Sequence, residues 1–106
     1  MPKYLIKASY TPEGVQGLMK EGATGRRDFI GKLIGSSGGT MESFYFAFGD
    51  DDVYVTAELP DNVTAASLAL AVNSTGAVNL KTVVLLTPQE VDEATQKTVD
   101  YRPPGG

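Results

Sequence analysis

The sequence contains no cysteine and no histidine, and these two absences remove much of ordinary enzyme chemistry. Without cysteine there is no disulfide and no thiol nucleophile. Without histidine no imidazole can move protons near neutral pH, and neither a Ser-His-Asp nor a Cys-His system can be assembled. The usual nitrogen and sulfur ligands of zinc are missing together. Positive charge is scarce as well. Nine Lys and Arg stand against thirteen Asp and Glu, for a net charge of −4. Nucleic acid and anionic membrane surfaces both call for a concentrated positive footprint, so neither partner is expected. No apolar run approaches the roughly 20 residues that cross a bilayer. The opening Met1-Pro2-Lys3-Tyr4-Leu5-Ile6 turns polar at Lys7, too soon for a signal peptide. A cytoplasmic location is the expectation.

What remains is the composition of an ordinary folded domain. Apolar residues make up 42% and charged residues 21%, outside the range of disordered chains. A length of 106 residues suits one hydrophobic core and is too short for two. The expectation is a single domain over residues 1–101, followed by a Pro/Gly tail over 102–106.

Along the chain, Tyr4 to Tyr10 partly alternates and predicts a strand. Thr11-Pro12-Glu13 predicts a helix start: a capping hydroxyl, a proline with preset φ, and an acidic residue at the positive end of the dipole. Val15, Leu18, Met19 and Ala23 follow at helical spacing. Gly17, Gly22 and Gly25 weaken this stretch and predict a break near residues 21–25. The helical pattern resumes through Phe29, Ile30, Leu33 and Ile34 and ends at Ser36-Ser37-Gly38-Gly39. Two strand-like runs, Thr40 to Phe48 and Val53 to Leu59, flank Gly49-Asp50-Asp51-Asp52 and predict a hairpin. Pairing across an even-numbered turn puts Phe44, Phe46 and Phe48 on one face with Val53, Val55 and Ala57. Tyr45 and Ala47 fall on the other, with Tyr54, Thr56 and Glu58. Pro60-Asp61-Asn62 caps an Ala-rich helix that ends at Ser74-Thr75-Gly76. Ala77 to Thr87 is β-branched and predicts a strand. Thr87-Pro88-Gln89-Glu90 predicts a capping box, with a short polar helix over Val91 to Val99. The order β-α-β-β-α-β predicts an α+β, ferredoxin-like sandwich: a four-stranded antiparallel sheet in order 4-1-3-2, helices on one face, plus a short C-terminal helix.

The stretches Tyr4 to Thr11, Phe44 to Asp52 and Leu68 to Asn73 together resemble the GYD family, over most of residues 1–101. In the Gly-Tyr-Asp motif that names the family, Gly49 and Asp52 match, while Asp51 stands where the name leads one to expect Tyr. The resemblance implies a ferredoxin-like fold that pairs through its open sheet face, as in dimeric α/β barrels. It implies no particular activity.

Four groups of residues invite a functional reading. Gly49 to Asp52 reads first as a turn, with Gly49 supplying a backbone conformation closed to other residues and the aspartates capping their own backbone. Three adjacent carboxylates suggest a hard cation, but the alternate-residue ligands and distal Glu of a calcium loop are absent, so no metal is expected. Arg26 lies beside the helix break and can face an anion. The plainer reading of Arg26-Arg27 is a solvated helix face with Glu21 and Asp28 as neighbours. The Gly-rich runs at 22–25 and 35–39 lack phosphate-loop spacing. Lys7, Tyr45, Tyr54 and Glu58 project from the second sheet face, which is too apolar for water and too polar for a core. Tyrosine is enriched at interfaces. Two such faces pressed together would enclose a semi-polar barrel interior, filled or holding a small ligand.

The expected function is therefore a homo-oligomeric interaction or small-ligand-binding domain, without cofactor, that pairs through the open sheet face. Lys7, Tyr45, Tyr54, Glu58 and Arg26 are its candidate ligand-binding residues. The alternative is a cofactor-free barrel enzyme, of monooxygenase or isomerase type, acting on a small aromatic or acidic compound. Its general base would be a carboxylate or lysine with a pKa shifted by burial.

Overall fold

A computed structural model describes all residues, Met1–Gly106. The chain runs β1 (Lys3–Tyr10), α1 (Pro12–Glu21), α2 (Ala23–Ser36), β2 (Thr40–Phe46), β3 (Val53–Glu58), α3 (Asn62–Asn73), β4 (Val78–Leu85) and α4 (Pro88–Thr95). One antiparallel sheet takes the order β2-β3-β1-β4, with α2 against β2 and α3 against β4 on the same face. This is the ferredoxin-like arrangement that the element order predicts.

Local chemistry explains the helix boundaries. The Thr11 hydroxyl caps α1 by accepting from the Gly14 N–H, and Pro12 opens the first turn. The expected break falls at Gly22, whose φ of 89° ends α1 and starts α2. A side chain there would be forced into the left-handed region. Asp61 caps α3 through the Thr64 N–H. Thr87 and Glu90 form the reciprocal capping box of α4. That helix ends at Thr95, earlier than expected, because the polar segment after it has nothing to pack on and every residue from Leu86 onward is exposed.

The register explains the core. Tyr4 pairs with Ala57, Ile6 with Val55 and Ala8 with Val53 across β1 and β3. On β2, Phe44 lies opposite Val55 and Phe46 opposite Val53, and the two rings meet edge to face at 5.3 Å. These residues, with Ile34 of α2, Ala65 of α3 and Val78 of β4, form the apolar layer between sheet and helices. Tyr4 is fully buried and its hydroxyl donates to Asn62 Oδ1 at 2.6 Å, so its polar end is satisfied. Phe48 departs from expectation. The strand ends at Phe46, and Phe48 sits in the connecting turn with its ring fully exposed.

Candidate functional site

The face of the sheet turned away from the helices is bare. Along β1 it carries Lys3, Leu5, Lys7 and Ser9; their β3 partners are Glu58 for Lys3, Thr56 for Leu5 and Tyr54 for Lys7. On the outer side Tyr45 stands opposite Tyr54 and is 69% exposed. On the β4 side Lys7 faces Lys81, Leu5 faces Val83 and Lys3 faces Leu85. The sheet thus brings Lys7, Tyr54 and Tyr45 into one row across three strands. Glu58 lies four residues further along the strands, about 13 Å away. Lys3 reaches Glu42 at 3.2 Å, but neither Lys7 nor Glu58 has an ion-pair partner within the chain.

The three-aspartate turn supports this face instead of offering ligands from it. Asp51 is buried, its side chain only 5% exposed. Its Oδ1 accepts from the Ser9 hydroxyl at 3.0 Å and pairs with Lys81 Nζ at 3.2 Å. Burial by itself would raise the Asp51 pKa. The hydrogen bonds from Lys81 and Ser9 and the charges of Lys81 and Lys7 outweigh it, and hold the carboxyl below its usual range. That pairing also relieves the repulsion between Lys7 and Lys81, which face each other directly. Asp52 turns elsewhere, its Oδ2 accepting from the Tyr10 N–H at 2.8 Å. The carboxylates of Asp51 and Asp52 therefore serve separate protein donors. The expectation for Gly49 is corrected: its φ is not positive, and a Cβ there would meet open space. Six residues separate Phe46 from Val53, enough to turn without a left-handed glycine.

A second site lies on the opposite side of the sheet. Because α2 rests on β2 and α3 on β4, the two helices leave a gap between them. Beneath it is an apolar chamber of about 60 Å³, floored by Ile6, Val55 and Leu80 and walled by Leu33 of α2 and Val72 of α3. Outside it, a groove of about 370 Å³ runs between Phe29 and Ile30 on one helix and Ala71 and Val72 on the other. Arg26 lines both the chamber and the groove. Its side chain is 22% exposed and lies 3.9 Å from Glu21, with its guanidinium 5.5 Å above the Phe29 ring. The expected solvated face holds for Arg27, which pairs with Asp28 at 3.0 Å, and fails for Arg26. Tyr10, at the end of β1, also lines the chamber. Burial pushes its phenol above the usual range; the Arg26 guanidinium opposes this, and Glu21 and Asp52 reinforce it.

Tyr10 is held here by close backbone contacts. Ala77 O accepts from both Thr11 N and Thr11 Oγ1. Gly14 faces the same carbonyl, where a Cβ would overlap it. The residue periodicity carries one signal of this site: Tyr10 continues the inward series Tyr4, Ile6, Ala8 past the end of the buried core. The gap itself has no periodic signature. On the α3 side a small residue, Ala71, lines it.

The candidate residues thus divide between two surfaces. Lys7, Tyr45, Tyr54 and Glu58 share the bare sheet face, and Arg26 belongs to the cleft behind it. No helix is long and apolar enough to cross a membrane. No curated protein matches the chain. The family model of the GYD domain matches residues 4–95, spanning every strand and the hairpin turn on which both surfaces depend, and the chain belongs to the GYD domain family.

Proposed function

We propose that the protein is a small-ligand-binding domain that works as a homodimer, two copies pairing through their open sheet faces. The observation that carries this reading is the asymmetry of the sheet. One face is covered by helices that leave a cleft, and the other is uncovered although it carries Leu5, Tyr45, Tyr54, Val83 and Leu85. A second copy is the simplest cover, since twofold pairing needs one self-complementary surface.

The charges support that occupant. Lys7 lies at one end of the face and Glu58 at the other, each without a partner in its own protomer. A twofold axis running across the strands brings Lys7 of each copy toward Glu58 of the other. The tyrosine row then packs near the contact, where aromatic residues are favoured. The clefts remain on the outer sides of the pair, free to take a ligand.

Isotope-filtered nuclear Overhauser spectroscopy on a mixture of labelled and unlabelled protein tests the pairing. Cross-peaks between copies are expected from Tyr45, Tyr54 and Val83. Cross-peaks restricted to helix residues, or none at all, would contradict pairing through this face.

A further inference from the structure

Arg26 is a mostly buried cation and the one charged residue that lines the apolar chamber. A guanidinium presents five N–H donors in a planar fork. The Arg26 side chain is about four-fifths covered, yet its charged neighbour Glu21 lies 3.9 Å away, beyond hydrogen-bond reach. Glu21 also sits across the Gly22 break, on the preceding helix. The Tyr10 hydroxyl lies beside the guanidinium, and no carboxylate is in direct contact with the fork.

The geometry points to a binding site for a small aliphatic monocarboxylate, its carboxylate held by Arg26 beside Tyr10 and its alkyl chain in the chamber between α2, α3 and the sheet. This rests on the reading of the cleft as a ligand site, and names its ligand class. A carboxylate matches the guanidinium fork with two parallel hydrogen bonds. The Tyr10 hydroxyl stays protonated at neutral pH and can donate alongside. The surrounding charge selects against a dianion. Asp52 and Glu21 both act on Tyr10, so a phosphate would meet two carboxylates and one cation, whereas a monoanion needs only to displace the loosely held Glu21.

The chamber selects the other end of the molecule. Apart from Arg26 and the Tyr10 hydroxyl its lining is apolar, so it offers no further partner to a polar tail. Its volume of about 60 Å³ is well below the roughly 150 Å³ that holds a benzene ring. A narrow alkyl chain enters where a ring does not, and the groove of about 370 Å³ outside takes what the chamber leaves over.

The test is a methyl-detected NMR titration of the full chain with octanoate, octanamide and octyl phosphate. Octanoate is expected to shift the methyls of Leu33, Val72 and Val78 saturably, and to bind about tenfold or more tightly than octanamide. Arg26→Met should abolish that preference, leaving the two equal, while Arg26→Lys, which keeps the charge and loses the fork, should retain part of it. The Lys variant also serves if the Met variant does not fold. Equal binding of octanoate and octanamide to the unmodified protein, or tighter binding of octyl phosphate, overturns the carboxylate class while the cleft remains a ligand site. If no probe shifts the chamber methyls, the inference and the ligand-binding reading fall together.

Discussion

Asp51 is a buried carboxylate in a stretch that reads as a surface turn. Its hydrogen bonds to Ser9 and Lys81 tie the hairpin to β1 and β4 at once. The carboxyl is held below its usual range in the fold, so its contribution is fully present above the unfolded value, near 3.9. It is lost as pH falls through the folded value. Urea denaturation over a pH series should therefore show the advantage of the unmodified protein over Asp51→Asn shrinking below about pH 4. A constant difference down to the most acid point would mean that the ion pair with Lys81 does not contribute. The sequence marks this position only as a departure from the family motif. It gives no sign of burial, because the partners Ser9 and Lys81 are 42 and 30 residues away and meet Asp51 only once the sheet is formed. Arg26 was legible as a candidate, since it stands beside a helix break. That it lines the chamber depends on how α1 and α2 are angled at Gly22.

At the scale of elements, punctuation was the most legible feature. Proline, threonine and glycine at helix ends act through neighbours a few residues away, so Thr11-Pro12, Gly22 and Thr87-Pro88 mark boundaries that the fold respects. The end of β2 was less legible. Phe48 continues the alternation of Phe44 and Phe46, and alternation cannot tell where pairing stops. Two glycines in one helical region separate the local effects. Gly22→Ala forces a left-handed φ and should cost about 1–3 kcal/mol. Gly17 is exposed on α1 with open space around it, and Gly17→Ala should stabilise by about 0.5–1 kcal/mol. Both are read from urea midpoints, and a common sign for the two would refute the helix break. In the core, Ile34 is 2% exposed on α2, and Ile34→Ala should cost about 2–5 kcal/mol. A smaller loss would mean that α2 packs less firmly on the sheet than its burial implies.

At the scale of the molecule, the single chain leaves apolar surface unpacked. Its radius of gyration is 16.9 Å and its longest dimension 56 Å, against about 13 Å for the radius of a compact chain of this length. The C-terminal segment, exposed from Leu86 onward, accounts for the excess, and the bare sheet face adds apolar surface without cover. The overall fold could be inferred because β3 alternates cleanly, β1 alternates in part, and the β4 segment is β-branched and apolar. The orientation of the proposed pairing rests on Lys7 and Glu58, two charges without an ion-pair partner that only the register places apart on one face. Sedimentation equilibrium at tens of micromolar tests it directly, on the unmodified protein, on Lys7→Glu and on Lys7→Glu combined with Glu58→Lys. The account predicts twice the 11.2 kDa chain mass for the unmodified protein, dissociation for the single variant by like-charge repulsion, and restored pairing for the charge-swapped double variant. An unmodified protein that sediments as an 11.2 kDa monomer would contradict it.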